Sequence, residues 1–89
     1  MQHRQITLIN KLGLHARAAA KFVQTASAYT CEVSVQFNNK KISGKSIMGL
    51  MMLAASCGTQ LEITTEGDNE LDAITALELL IQNRFGESE

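Results

Sequence analysis

Polar and apolar residues alternate strictly in two parts of the chain, which is the period of a β-strand with one buried face. In the first of them Val33, Val35 and Phe37 fall on one side and polar residues on the other. Two shorter segments are rich in strand-forming residues, and the Asn38-Asn39 pair predicts a tight turn before one of them. The four predicted strands are Gln5–Ile9, Glu32–Phe37, Lys40–Ser43 and Leu61–Thr65.

Three other parts of the chain have the three-to-four-residue period of amphipathic helices. The first is rich in alanine, the best helix former, and Gly58 stands where the second would end. Asp68 or Asn69 can cap the third, whose first turn is acidic and so suits the helix dipole. The predicted helices are Ala16–Ala28, Ile47–Ser56 and a last helix after Asn69 with the core face Leu71, Ile74, Leu77, Ile81 and Phe85.

The predicted order of elements is βαββαβα. Each helix has an apolar stripe, which the second helix exceeds, and each alternating strand has one apolar face. We therefore expect two layers, with the helices on one face of a mainly antiparallel sheet, which is an α+β fold. The 89 residues suffice for one ordinary core, so a single domain over residues 1–89 is predicted.

The composition narrows the classes of function. The net charge is −1 and aromatic residues are only 4%, which argues against nucleic-acid and membrane binding. Charge is unevenly spread, because residues 1–45 carry seven basic side chains and one acidic one, whereas residues 46–89 carry one basic and eight acidic ones. The basic half could attract an anionic ligand or partner. Cys31 and Cys57 lie far apart without a signal-type segment, so free thiols in a cytoplasmic protein are expected.

One segment combines the groups needed to hold an anion, Gly13-Leu14-His15-Ala16-Arg17. His15 falls at or next to the N-cap of the first predicted helix, where the first N–H groups lack internal partners. A phosphate on the ring would meet those N–H groups and the guanidinium of Arg17. A metal site is not expected, because the segment has no Cys, Asp or Glu. The alternative is that His15 is an ordinary capping or exposed residue.

The second predicted helix has too many apolar residues for a one-sided stripe. Some of them must face solvent or a partner, and flexible methionines suit a surface that binds several proteins. A helix buried on all sides is the alternative. Ser46 directly precedes this helix, as an N-cap would.

Two motifs resemble those of one family. Residues 10–17, Asn-Lys-Leu-Gly-Leu-His-Ala-Arg, look like the active-site motif of the histidine phosphocarrier HPr of the bacterial phosphotransferase system. Residues 45–51, Lys-Ser-Ile-Met-Gly-Leu-Met, resemble the regulatory serine and the helix that follows it. The order of elements and the length are also similar. The family commonly has Pro after the arginine, where this chain has Ala18, and the alanine-rich run is similar to proteobacterial members, including the nitrogen-branch form NPr.

The resemblance implies an open-faced β-sandwich, a four-stranded antiparallel sheet covered by three helices. It implies that His15 receives a phosphoryl group from phosphorylated enzyme I and passes it to a histidine of an enzyme IIA protein. Arg17 would be the phosphate partner and Ser46 the target of an HPr kinase/phosphorylase. Such a chain would be a phosphocarrier rather than an enzyme, without metal or cofactor, and a monomer is expected. The predicted docking residues are Ala16, Ala20, Lys21, Lys45, Ile47, Met48 and Met51.

Two roles stay open at this point. The relay could serve sugar uptake or a nitrogen-related regulatory pathway. A protein of another class, a binding regulator controlled at Ser46 without phosphoryl relay, would also use the methionine-rich helix. A histidine at position 15 favours the relay, since a pure regulator needs no phosphorylatable residue there.

Overall fold

The computed structural model describes residues 1–89 and has the predicted order of elements, with one short 3₁₀ turn added at the end. The four strands form one antiparallel sheet in the order β1-β4-β2-β3. The predicted α+β fold is thus confirmed. The elements are β1 (Gln2–Thr7), α1 (Ala16–Ser27), β2 (Glu32–Phe37), β3 (Lys40–Ser43), α2 (Ile47–Met52), β4 (Gln60–Glu66), α3 (Glu70–Gln82) and the 3₁₀ turn Arg84–Gly86.

The alternation in β2 and β4 determines which face of the sheet is buried. Val33 and Val35 of β2 and Leu61 and Ile63 of β4 are buried, while the residues between them face the open side. β2 and β3 meet at Asn38-Asn39, both with positive φ, as in the tight turns that match the twist of a hairpin. The apolar face of the sheet is therefore continuous and available to the helices.

The helices cover that face and close the core. α1 contributes Phe22 and Ala26, and α3 contributes Ile74, Leu77 and Ile81, all fully buried. None of the helices combines the length and the apolar character needed to cross a membrane. This packing leaves the N-terminal end of α1, which carries His15, at the rim of the molecule.

The first strand begins earlier than predicted and also ends earlier. Only Ile6 of β1 is a buried apolar residue, so its N-terminal half gives no hydrophobic signal. There Arg4 is half-buried and its Nη1 donates to Glu78 Oε1 of α3 at 2.5 Å. Backbone pairing with β4, from Gln2 opposite Thr65 onward, determines the strand instead.

The second helix ends at Met52, four residues before the predicted end. Ala54 takes a left-handed backbone conformation, which terminates the helix well before Gly58. The next residue, Ala55, accepts a hydrogen bond from Leu14 N–H at 2.9 Å. A contact with the His15 loop therefore accompanies the end of α2.

The last helix also departs from its predicted face. Leu71 is exposed, so the buried face of α3 begins at Ala73 and Ile74. Phe85 is buried as expected but lies outside α3, because Arg84 and Phe85 have left-handed backbones that turn the chain back. The residues after α3 are thereby directed towards α1.

Candidate functional site

His15 is the N-cap residue of α1, as predicted, but its side chain does not cap the helix. Its backbone carbonyl accepts the first helical hydrogen bond, from Ala19 N–H at 2.8 Å, while the imidazole makes no capping contact. The N–H groups of Ala16, Arg17 and Ala18 have no backbone acceptor. They remain at the positive end of the helix dipole, next to a half-buried imidazole.

The imidazole instead contacts the C-terminal tail. His15 Nε2 is hydrogen-bonded to a carboxylate oxygen of Glu87. The other oxygen of Glu87 accepts from Asn10 Nδ2 at 3.0 Å. The same amide nitrogen donates to the carbonyl of Gly13 at 2.7 Å, which ties the tail to the turn before His15.

The pKa of the Glu87 carboxyl is lowered by these contacts. The hydrogen bond from Asn10 is the largest cause; the hydrogen bond and charge of His15 and the charge of Arg17 act in the same direction. Burial opposes them and is outweighed. Glu87 is therefore a carboxylate at neutral pH, and it is held against the ring of His15.

Three further contacts attach the tail to this corner. Lys21 Nζ donates to the carbonyl of Phe85 at 2.6 Å. Lys11 donates from its backbone N–H to the Glu89 carbonyl at 3.1 Å, and its ammonium lies 3.4 Å from the Glu89 carboxylate. The tail thus runs across the N-terminal end of α1 and does not project into solvent.

Arg17 is exposed and lies in the first turn of α1, two residues after His15. It lines a shallow groove between α1, the 10–14 loop and the tail, together with Lys11, Lys21 and Glu87. Three cations therefore converge on the side of α1 next to His15. The carboxylates of Glu87 and Glu89 line the same groove, and the binding of an anion by these cations stays a prediction.

The apolar residues of α2 form an exposed face, defined here by Ile47, Met48, Met51 and Met52 and called the α2 face. All four are exposed, with Met48 at 74%, while Leu50 behind them is fully buried. The C-terminal end of α2 approaches His15, because Leu14 bonds to Ala55 and Gly13 packs against Ala55 and Ser56. The predicted exposure of this helix is correct.

The other predicted docking residues divide into two groups. Ala16 is exposed and Ala20 and Lys21 are half-buried on α1, near His15. Lys45, by contrast, donates from Nζ to the carbonyls of Tyr29 at 2.7 Å and Cys31 at 2.9 Å, beyond the far end of α1. Since α1 is 12 residues long and spans about 18 Å, Lys45 is remote from His15. A basic rim beside His15 therefore consists of Arg17 and Lys21, whereas Lys45 lies next to Ser46 at the start of α2; that any of these residues contacts a partner stays a prediction.

Ser46 caps α2, as its position in the sequence predicts. Its hydroxyl oxygen accepts from Gly49 N–H at 3.0 Å, and its backbone carbonyl accepts from Leu50 N–H at 3.0 Å. Ser46 is half-buried at the edge of the α2 face. A phosphate added there would lie beside Ile47 and Met48.

The fold and the histidine at the start of α1 agree with what comparisons with known proteins show. The family model described as "PTS HPr component phosphorylation site" matches residues 2–83. The chain belongs to the HPr family. It is 55% identical to the phosphocarrier protein HPr of Neisseria meningitidis over the full length of both chains. It is 58% identical to that of Pseudomonas aeruginosa over 86 residues, 96% of each chain.

Solved HPr structures have the same fold. The Thermoanaerobacter tengcongensis HPr structure aligns over all of both chains with a TM-score of 0.96 and 48% identity. The Bacillus anthracis HPr structure aligns with a TM-score of 0.87 and 37% identity, over 91% of this chain and 96% of that one. The expected family and open-faced sandwich are thus confirmed, and this chain is an HPr phosphocarrier of the phosphotransferase system.

Two residues of the candidate site were not predicted from the sequence. Glu87 lies in a tail with no periodic pattern, after Gly86, and 72 residues from His15. Asn10 is the first residue of the motif over residues 10–17, but the sequence assigned it no role, and its complete burial is what distinguishes it. A polar residue that continues the inward alternation of Ile6 and Leu8 could have identified Asn10.

Proposed function

We propose that His15 accepts a phosphoryl group from phosphorylated enzyme I, which takes it from phosphoenolpyruvate, and transfers it to a histidine of an enzyme IIA protein. The observation that carries this is the histidine itself. It occupies the N-cap of α1 without capping it, beside unpaired N–H groups and Arg17. A residue placed to stabilise the helix would use its side chain on those N–H groups.

Nδ1 of His15 is the proposed acceptor atom, because Nε2 is engaged by Glu87. The lone pair of Nδ1 forms the new N–P bond as the bond to the donor nitrogen breaks, and that electron pair returns to the donor ring. Positioning and charge stabilisation dominate such transfers. The free N–H groups at the start of α1 and the guanidinium of Arg17 supply both.

The α2 face and the basic rim of Arg17 and Lys21 support docking of both partners on one surface. An apolar centre with a charged edge is typical of protein interfaces, and complementary partners would be acidic around an apolar centre. Donor and acceptor would then exchange places on the same surface, since His15 lies at its edge.

Ser46 is the proposed regulatory phosphorylation site, for an HPr kinase/phosphorylase. A phosphoserine would bring nearly two negative charges to the edge of the α2 face, where acidic partners would be repelled. The alternative function, a binding regulator controlled at Ser46 without relay, would use the same surface. Such a regulator would bind partners yet never carry phosphate on His15.

The test is to incubate the protein with phosphoenolpyruvate and enzyme I, and to map any acid-labile phosphate. We expect one phosphoryl group on His15. A chase with an enzyme IIA of the sugar branch, and separately with one of the nitrogen branch, should discharge it to one of them faster and so assign the branch. No labelling by enzyme I of either branch would favour the binding regulator.

A further inference from the structure

We propose that Glu87 is a positioning residue for His15. Its carboxylate, held in place by Asn10, fixes the imidazole with the proton on Nε2 and stabilises the positive ring that forms when Nδ1 takes up the phosphoryl group. This inference rests on the proposed function of His15, and one of its readouts does not depend on phosphorylation.

The carboxylate has two fixed partners, one on each oxygen. Asn10 is fully buried and donates from Nδ2 both to Glu87 and to the carbonyl of Gly13. The Glu87 side chain is only 11% exposed, although the two residues after it are exposed. A tail glutamate would be expected in solvent, so its burial against an imidazole requires a specific set of contacts.

The chain supplies those contacts on both sides of Glu87. On the N-terminal side, Phe85 is buried in the core and its carbonyl is bound by Lys21. On the C-terminal side, Glu89 is bound by both the backbone and the ammonium of Lys11. Glu87 is thereby held at both ends, and its carboxylate has little freedom to leave His15.

A carboxylate on one ring nitrogen determines what the other can do. As an acceptor, Glu87 keeps the proton on Nε2, which leaves the lone pair on Nδ1. When that lone pair bonds to phosphorus, the Nε2 proton stays and the ring becomes positively charged. The same carboxylate that selected the tautomer then faces this charge, as in other histidine–carboxylate pairs.

An opposing effect must also be weighed, since a carboxylate repels a phosphoryl group. The phosphoryl group would lie on Nδ1, across the ring, so the ring charge is the nearer of the two to Glu87. Arg17, Lys11 and Lys21 line the same groove and offset the carboxylates of Glu87 and Glu89. Net stabilisation of the phosphorylated ring is therefore expected, and the sign of the effect is measurable.

The experiment compares Glu87→Gln with Glu66→Gln, each of which removes one carboxylate charge. Glu66 is exposed at the end of β4 and belongs to none of the contacts that hold the tail or His15, so its variant controls for net charge. Single-turnover phosphorylation by phosphorylated enzyme I is followed over a range of enzyme I concentrations. For Glu87→Gln we expect a maximal rate about tenfold lower at an unchanged half-saturating concentration, as for other residues that orient a histidine. Glu66→Gln should keep the wild-type maximal rate.

The second readout is the His15 tautomer in the unphosphorylated protein, from ¹⁵N NMR of the ring nitrogens. We expect the Nε2–H form in the wild type and a larger Nδ1–H fraction in Glu87→Gln, with the rest of the spectrum unchanged.

A maximal rate of Glu87→Gln equal to or above that of the wild type would overturn the proposal, because Glu87 would then be a mere tail anchor or a competitor of the phosphate. A loss seen only in the half-saturating concentration would assign Glu87 to docking instead. If neither the wild type nor any variant were labelled, the proposed phosphoryl relay would be wrong. The NMR measurement of the His15 tautomer would still test whether Glu87 positions the ring.

Discussion

The two helices next to the candidate site begin in opposite ways. α2 starts at Ser46, whose side chain accepts a hydrogen bond from the helix it caps. α1 starts at His15, whose side chain turns away from its helix to a carboxylate of the tail. One N-terminal residue thus stabilises its helix, and the other leaves the N–H groups of its helix unpaired.

The difference follows from how much the stability of each helix depends on its N-cap side chain. α2 has six residues and is too short to be stable alone, so it needs its cap. α1 has twelve residues and buries Ala18, Ala19, Phe22 and Ala26 against the core. Packing therefore maintains α1 without the contribution of about 1 kcal/mol that a capping side chain supplies. The unpaired end of α1 remains available for an anion.

Replacing each of the two N-cap residues by alanine tests this contrast. His15→Ala has the largest expected effect on phosphoryl transfer. His15→Ala should abolish phosphoryl acceptance and change the free energy of unfolding by no more than about 1 kcal/mol, because the side chain caps nothing and its loss removes one hydrogen bond, to Glu87. Ser46→Ala should keep His15 phosphorylation and lose about 1 kcal/mol, or roughly 5 °C in melting temperature. Labelling by enzyme I and thermal melting measure the two effects. Undiminished labelling of His15→Ala would refute the proposed site.

Reversing the charge beside the unpaired helix end is the next largest change. Arg17→Glu places a like charge next to the phosphoryl group and should slow transfer roughly a hundredfold or more, by analogy with the loss of a charge-stabilising donor. Stability should hardly change, since Arg17 is exposed. The transfer rate of Arg17→Lys should lie between those of the wild type and Arg17→Glu, because the lysine ammonium is a point charge and lacks the planar fork of the guanidinium. Transfer by Arg17→Glu at the wild-type rate would show that Arg17 does not contact the phosphate.

The residues at the start of both helices could be predicted from the sequence because their signals are local. His15 and Arg17 follow a glycine-containing loop at the start of an alanine-rich helix, and Ser46 directly precedes an apolar run. The hairpin at Asn38-Asn39 is equally local, because the turn depends on residues that tolerate positive φ.

The features that the sequence did not predict all depend on contacts between residues that are far apart along the chain. α2 ends early where Ala54 turns back towards the His15 loop, and Phe85 reaches the core through a left-handed turn rather than along α3. Glu87 and Asn10 meet across 77 positions of the chain, and no periodic pattern reports such a contact. Long-range polar pairing therefore limits what the sequence alone could predict.

Disrupting the α2 face should affect partners rather than chemistry. Met48 is the most exposed residue of this face, so Met48→Glu should leave the fold intact and weaken binding of enzyme I about tenfold, as the loss of an interface anchor can. Titration calorimetry measures the affinity. Leu79→Glu, on an exposed position of α3, is the matched control and should bind normally. Equal losses in both variants would point to net charge rather than to the α2 face.

A charge at the cap of α2 should have a smaller effect than one at the centre of its face. Ser46→Asp keeps a capping side chain, so its melting temperature should equal or exceed that of the wild type. Its phosphorylation by enzyme I should be clearly slower, because an acidic partner meets a new negative charge. Ser46→Ala separates the two effects, since it loses the cap without adding charge. An unaffected rate in Ser46→Asp would make Ser46 a structural cap only.

The smallest expected effect concerns how acid changes the anchoring of His15. The hydrogen bond from Asn10, and then the contact with His15, lower the pKa of Glu87 in the folded protein. The carboxylate therefore stabilises the fold at pH values above its unfolded pKa, near 4.5, and this contribution is lost as the pH falls through the lower, folded pKa. Glu70, whose pKa is also lowered, first by its hydrogen bond to the N-terminal amine, loses its contribution in the same direction, so wild-type unfolding alone cannot isolate Glu87. Urea unfolding of the wild type and of Glu87→Gln should therefore differ most at neutral pH and converge in acid, because Glu70 is common to both. A difference that stays constant down to acidic pH would mean that the ionised carboxylate does not hold the tail against α1.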